Sequence, residues 1–143
     1  MIVLDASVVA KCYIPEMDSE KVEQLIYTSA YDFVAPALIR VEVASALCRR
    51  VRNKFLSPEE AIKRSERWKT HLAENIITLI PDETLMIEAV HIATRLAHPL
   101  QDCLYLAAAM QYKTFLLTAD ARFFERAAQE KLPVQLLANY GIN

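Results

Sequence analysis

The chain is almost without glycine: Gly141 is the only one in 143 residues. Phosphate-cradling loops depend on glycine, because only a residue without Cβ lets the backbone close on phosphate oxygens. A GxGxxG dinucleotide fingerprint and a P-loop are therefore excluded. Any phosphate handled here must be met by side chains or by a metal ion. Cysteine is also scarce. Cys12, Cys48 and Cys103 are odd in number, far apart and free of CxxC spacing. They read as reduced, mostly buried thiols of a cytoplasmic protein rather than a disulfide framework. His71, His91 and His98 lack HExxH spacing and have no cysteine partner, so nothing suits zinc. No basic stretch precedes an apolar run, so no secretory signal is expected. The longest apolar run, Cys103 to Met110, falls far short of the ~20 residues of a membrane span.

What is present describes an ordinary folded domain. Apolar residues make up 54% of the chain, which excludes disorder. At ~150 residues per unit, a single domain over residues 1–143 is expected. A domain of this size buries roughly 68–70% of its unfolded surface and needs no covalent or metal staple to fold. The net charge of −2 hides an asymmetry. Between Arg40 and Lys69 lie nine basic and four acidic residues, against seven basic and fourteen acidic elsewhere. A basic middle on an acidic body suits a face for a polyanion, and equally a solvated helix surface.

Ile2-Val3-Leu4 runs into Asp5 and reads as a short buried strand ending on a carboxylate. Ser7 can cap a short helix through Cys12, stopped by Pro15. Asp18 or Ser19 opens a second helix, and Asp32 to Pro36 is a strand. A helix spans Ala37 to Asn53. Ser57, Pro58 and the acids Glu59 and Glu60 start another, to about Leu72. Ile76 to Ile80 is a strand, and Asp82 or Thr84 opens a helix to about Ala97. Pro99 begins one that is apolar on almost every side from Leu100 to Met110, hence buried. Phe115 to Leu117 is a strand, Asp120 leads a helix to about Lys131, and Val134 to Leu137 is the last strand. Short, unalternating apolar strands separated by helices predict an α/β fold with a covered parallel sheet.

Four acids stand among apolar neighbours: Asp5, Glu42, Asp102 and Asp120. Each alone has a structural explanation. Asp5 and Asp120 fit helix caps, Asp102 fits the dipole of a helix start, and Glu42 fits a pair with Arg49 on the same face. Together they fit a site. Asp5 and Asp120 each end a strand, so both lie at the carboxyl edge of the sheet, where open α/β folds bind ligands. Clustered carboxylates cannot all ionise without a counter-charge, and a hard divalent cation such as Mg²⁺ supplies one. A Ser7–His98 nucleophile pair is conceivable but has no supporting motif. A phosphotransfer domain with Asp5 as nucleophile is disfavoured. It lacks the acid two residues on, where Ser7 stands, and the acidic pair and lysine of a receiver.

The stretches Ile2-Val3-Leu4-Asp5-Ala6-Ser7-Val8, Arg40-Val41-Glu42-Val43-Ala44-Ser45-Ala46-Leu47, Gln101-Asp102-Cys103-Leu104-Tyr105-Leu106-Ala107-Ala108-Ala109 and Leu116-Leu117-Thr118-Ala119-Asp120 carry a family pattern in order and spacing. The sequence resembles the PIN-domain ribonucleases, most closely the VapC-type toxins of prokaryotic toxin–antitoxin pairs. The resemblance implies a three-layer α/β/α fold with a parallel sheet of four to five strands. It implies that Asp5, Glu42, Asp102 and Asp120 form an acidic pocket for Mg²⁺ or Mn²⁺. Asp5 and Asp102 are the surest ligands. Ser7 and Thr118 either support that site or cap helices. The implied reaction is hydrolysis of RNA by metal-activated water. The implied partners are an RNA substrate, a small antitoxin that inserts a basic side chain, and a second copy in a homodimer. Cys103 departs from the pattern, where small residues are commoner. Arg49 is the candidate for the RNA backbone ahead of Arg40, which faces another side of the helix. The alternative is a PIN-like module that binds RNA or protein without cutting. The four intact acids count against it.

Overall fold

The computed structural model describes residues 1–142; Asn143 lies outside the described residues. Five parallel strands form one sheet in the order β3-β2-β1-β4-β5. They are β1 (Ile2–Leu4), β2 (Phe33–Pro36), β3 (Thr78–Ile80), β4 (Leu116–Thr118) and β5 (Val134–Leu136). The three central strands are buried at every residue, while edge strands β3 and β5 are partly exposed. Covered parallel strands read as continuous apolar runs for this reason. The sheet lies within a three-layer α/β/α arrangement, as expected.

The helices are α1 (Ala6–Val9), α2 (Ser19–Thr28), α3 (Ile39–Arg52), α4 (Pro58–Ala73), α5 (Asp82–Leu96), α6 (Leu100–Gln111) and α7 (Ala121–Gln129). Helix α6 is buried from Cys103 through Ala109, which accounts for its apolar residues all round. Helix α4 starts as its sequence indicates: Ser57 Oγ accepts from the Glu60 N–H at 3.1 Å, with Pro58 in the first turn.

Two local expectations fail. Ser7 does not cap α1. It sits inside that helix, the capping position is Asp5, and the Ser7 hydroxyl turns to Asp5 and β4 instead. The third strand is also shorter than Ile76–Ile80, because Ile76 closes the end of α4, its N–H donating to the His71 carbonyl.

The shortage of glycine leaves its mark on the helix ends. Lys54, Asn75, Ala97, Lys113 and Lys131 follow α3 to α7 in turn, all with φ between 49° and 61°. After each, the next N–H reaches back to the last turn. Phe55 donates to Arg50, Ile76 to His71, His98 to Ala93, Thr114 to Ala109 and Leu132 to Ala127. This six-to-one bond satisfies a carbonyl that the helix leaves open and is usually built on glycine.

The strand order decides where the chemistry can sit. From β1 the chain moves one way to β2 and β3, then returns to place β4 on the other side of β1. That reversal lies between β1 and β4, and open α/β sheets bind ligands beyond the carboxyl ends of the two strands at such a point.

Candidate active site

Asp5 follows β1 and is buried, with its own N–H donating to the Leu117 carbonyl of β4 at 3.0 Å. The Ser7 hydroxyl and the Thr118 hydroxyl both donate to Asp5 Oδ2, each at 2.6 Å. Ser7 Oγ in turn accepts from the Ala119 N–H at 3.0 Å, and Thr118 Oγ1 accepts from the Asp120 N–H at 3.1 Å. Neither hydroxyl caps a helix. They tie β1 to β4 and fill one oxygen of Asp5, which leaves Oδ1 without a side-chain donor among the described residues. Burial pushes the Asp5 carboxyl above its ordinary range. The two hydroxyls work against that rise, and the nearby Asp102 charge adds to it.

Glu42 does not pair with Arg49. No ion pair involves Glu42 among the described residues; its Oε2 accepts from the buried Tyr105 hydroxyl at 2.5 Å. Its carboxyl is also raised, first by burial and then by the charges of Asp5 and Asp102, with Tyr105 and Arg49 opposing. The three acids therefore sense one another's charge. Asp102, in the first turn of α6, accepts from His98 Nε2 at 2.6 Å. A carboxylate can only accept, so Nε2 carries the proton. Arg126 Nη1 approaches Nδ1 at 3.4 Å, and Phe123 stacks on the ring at 4.6 Å. Asp120 does cap its helix, accepting from the Phe123 N–H at 2.9 Å.

All four acids line one cavity of about 510 Å³ at the switch point between β1 and β4. Helix α3 contributes Glu42, Ser45, Ala46 and Arg49, one stripe at helical spacing. Arg49 is the only basic residue in the lining among the described residues, whereas Arg40 turns away and donates to the Ala37 carbonyl. No three His, Cys, Asp or Glu side chains among the described residues stand close enough to form a ready cation cage. The donor chemistry nevertheless fits a hard divalent cation. Every acid offers carboxylate oxygen, two of them are raised first by burial and further by neighbouring carboxylate charge, and Mg²⁺ takes only one or two carboxylates beside its waters.

Tyr105 escaped the sequence reading as a site residue, and His98 entered it only as a conceivable partner of Ser7, not of Asp102. His98 lies four residues before Asp102, across the turn that joins α5 to α6, and Tyr105 lies three after it. That i, i+3 spacing on one helix face was the available signal for Tyr105.

A model of the PIN domain matches residues 2–130. The chain belongs to the PIN domain family. Among curated proteins no sequence match is found. Among solved structures, a chain of a toxin–antitoxin complex from Klebsiella pneumoniae superposes with a TM-score of 0.68 at 14% identity. The match covers 99% of this chain and 100% of the other. FitAcB from Neisseria gonorrhoeae matches with 0.69 at 17% identity, over 98% and 100%. FitAB bound to an IR36 DNA fragment matches with 0.70 at 18% identity, over 100% and 99%. At such identities these neighbours speak for the PIN fold alone. Among the described residues, no helix is long and apolar enough to cross a membrane.

Proposed function

We propose that this PIN domain is a divalent-metal-dependent endoribonuclease, the toxin of a toxin–antitoxin pair. One observation carries the reading: four acids from β1, α3, α6 and the end of β4 line a single cavity at the sheet's switch point. Asp5 and Asp102 would hold Mg²⁺ or Mn²⁺, with Glu42 and Asp120 completing the pocket. The ion, when bound, would make a water nucleophilic near neutral pH and neutralise charge growing on the phosphate.

The chain's own residues prepare that chemistry. Ser7 and Thr118 occupy one oxygen of Asp5 and orient the other toward the cavity. Their hydrogen bonds favour the ionised carboxylate against its burial. His98 positions Asp102 through their hydrogen bond, held in turn by Phe123 and Arg126. Tyr105 fixes Glu42. Arg49 at the rim would receive an RNA phosphate and set the register of the strand.

The partners follow from the same reading. The fold neighbours include toxin–antitoxin complexes, and an antitoxin offering a basic side chain would satisfy the carboxylates in place of a cation. The active form would be a cytoplasmic homodimer, with residues 1–143 acting as one domain. The test is cleavage of a mixed structured RNA pool by antitoxin-free protein. It is run with Mg²⁺, with Mn²⁺ and with EDTA, beside Asp5→Asn. Metal-dependent cutting that Asp5→Asn abolishes is expected. Folded, metal-loaded protein that binds the pool and cuts nothing would make the chain a non-catalytic PIN-like module.

A further inference from the structure

Five helices end in the same six-to-one turn, and the residue that closes it usually packs back on the helix. Four of these residues are sheltered: Ile76, His98 and Thr114 are half-buried, and Leu132 is buried. The fifth is Phe55 at the end of α3, and it is 71% exposed. The largest apolar side chain of the set is thus the one left in solvent. Its backbone is not loose. The Lys54 N–H donates to Val51 at 3.0 Å, and the Phe55 N–H donates to Arg50 at 2.8 Å. The Arg50 guanidinium lies over the ring, 5.6 Å from its centroid, and is itself held by Glu16. One face of the ring is therefore backed by a fixed cation.

The surroundings select the partner. Arg52 and Lys54 precede Phe55 closely in the chain, and both are exposed and without an ion pair among the described residues. The cavity stripe of α3, ending at Arg49, leads along the helix to Arg52. At ~1.5 Å per residue, Glu42 and Arg52 are about 15 Å apart along the axis. Three cations and an open aromatic face on one short path match the chemistry of single-stranded nucleic acid, whose phosphates follow charge while its bases stack. The residues that precede the ring in the chain, Arg50, Arg52 and Lys54, are cationic, which favours a polyanion over an apolar protein surface.

We propose that the α3–α4 tip is a nucleotide-binding site, where Phe55 stacks an unpaired RNA base and Arg52 and Lys54 hold its phosphates beside the acidic cavity. The site rests on the nuclease reading and adds to it a contact for the substrate strand outside the acidic cavity.

The test is equilibrium binding by fluorescence anisotropy, using a labelled oligoadenylate and an RNA duplex of equal length. It is done in the non-cutting Asp5→Asn protein with Mg²⁺ present. Phe55→Ala is expected to weaken oligoadenylate binding by about five-fold to a hundred-fold. Duplex binding should stay unchanged, and Phe55→Trp should restore the single-strand affinity. Phe55→Ala should leave the salt dependence of binding intact, whereas Arg52→Ala should lower its logarithmic slope by about 0.7. Thermal unfolding of each variant checks that the fold is kept. Oligoadenylate binding unmoved by Phe55→Ala in folded protein overturns the site. Continued metal-dependent cutting by the protein with native Asp5 would then leave the nuclease reading standing. A Phe55→Ala protein that keeps RNA affinity but loses a co-expressed protein partner makes the tip a protein contact. No binding of either RNA, with no cutting, overturns both readings.

Discussion

Asp5 is where opposing forces meet most closely. Burial, and the charge of Asp102, favour its protonated form; Ser7 and Thr118 favour the carboxylate. Because the folded-state value is raised, the stability Asp5 contributes is fully present below its ordinary value of 3.8. It is lost as pH rises through the raised value. Glu42 shifts in the same direction. Metal-free protein is therefore expected to unfold at a lower temperature near pH 7 than Asp5→Asn, with the difference closing toward about pH 3.5. Asparagine keeps an acceptor for both hydroxyls and removes the charge. Thermal scans across this range measure the effect, and a wild-type protein that matches the variant at every pH would contradict it. Tyr105 makes a second test. Tyr105→Phe removes the donor to Glu42 and is expected to cost about 1.5 kcal/mol in urea unfolding, the low end for a bond to a charged group, because Glu42 is only half-buried. A loss below a few tenths would show that Glu42 finds another donor.

At the scale of elements, the helix ends stand out. Five helices close on a left-handed residue without using glycine. A non-glycine residue there costs roughly 1–2 kcal/mol, offset in part by the freedom glycine adds to the unfolded chain. Lys113→Gly, far from the acidic cavity, is expected to stabilise the protein by about 0.5–1 kcal/mol in denaturant unfolding. A neutral or destabilising result would mean that the Lys113 side chain compensates for its backbone. Element positions were largely legible in the sequence, because apolar strands, the Ser57-Pro58 start and the all-apolar α6 are local signals. The Ser7 cap was misread because a hydroxyl near a helix start has two uses. Its choice of Asp5 depends on β4, more than a hundred residues away. Glu42's partner was hidden for the same reason: Tyr105 lies on another helix, while Arg49 lay in plain view about two turns further along α3.

At the scale of the molecule, strand order makes one cavity of acids scattered between residues 5 and 120. The order of strand, acid and helix could place Asp5 and Asp120 at the same sheet edge. Only the order β3-β2-β1-β4-β5 makes their strands neighbours. The basic stretch likewise acquires meaning from position. It forms the hairpin of α3 and α4, whose first helix lines the cavity and ends in the exposed cations. If Arg49 takes a phosphate, Arg49→Ala should weaken RNA binding at low salt and reduce its logarithmic salt slope by about 0.7. An unchanged slope would remove Arg49 from the substrate path.

The central claim is that these acids form a divalent-cation site, and metal binding tests it before any substrate is known. Electron paramagnetic resonance reports free Mn²⁺ directly as protein is titrated in at neutral pH. Saturable uptake by the metal-free protein, lost in Asp5→Asn while both proteins stay folded, is the expected result. Equal uptake by both proteins, or none by either, would contradict it.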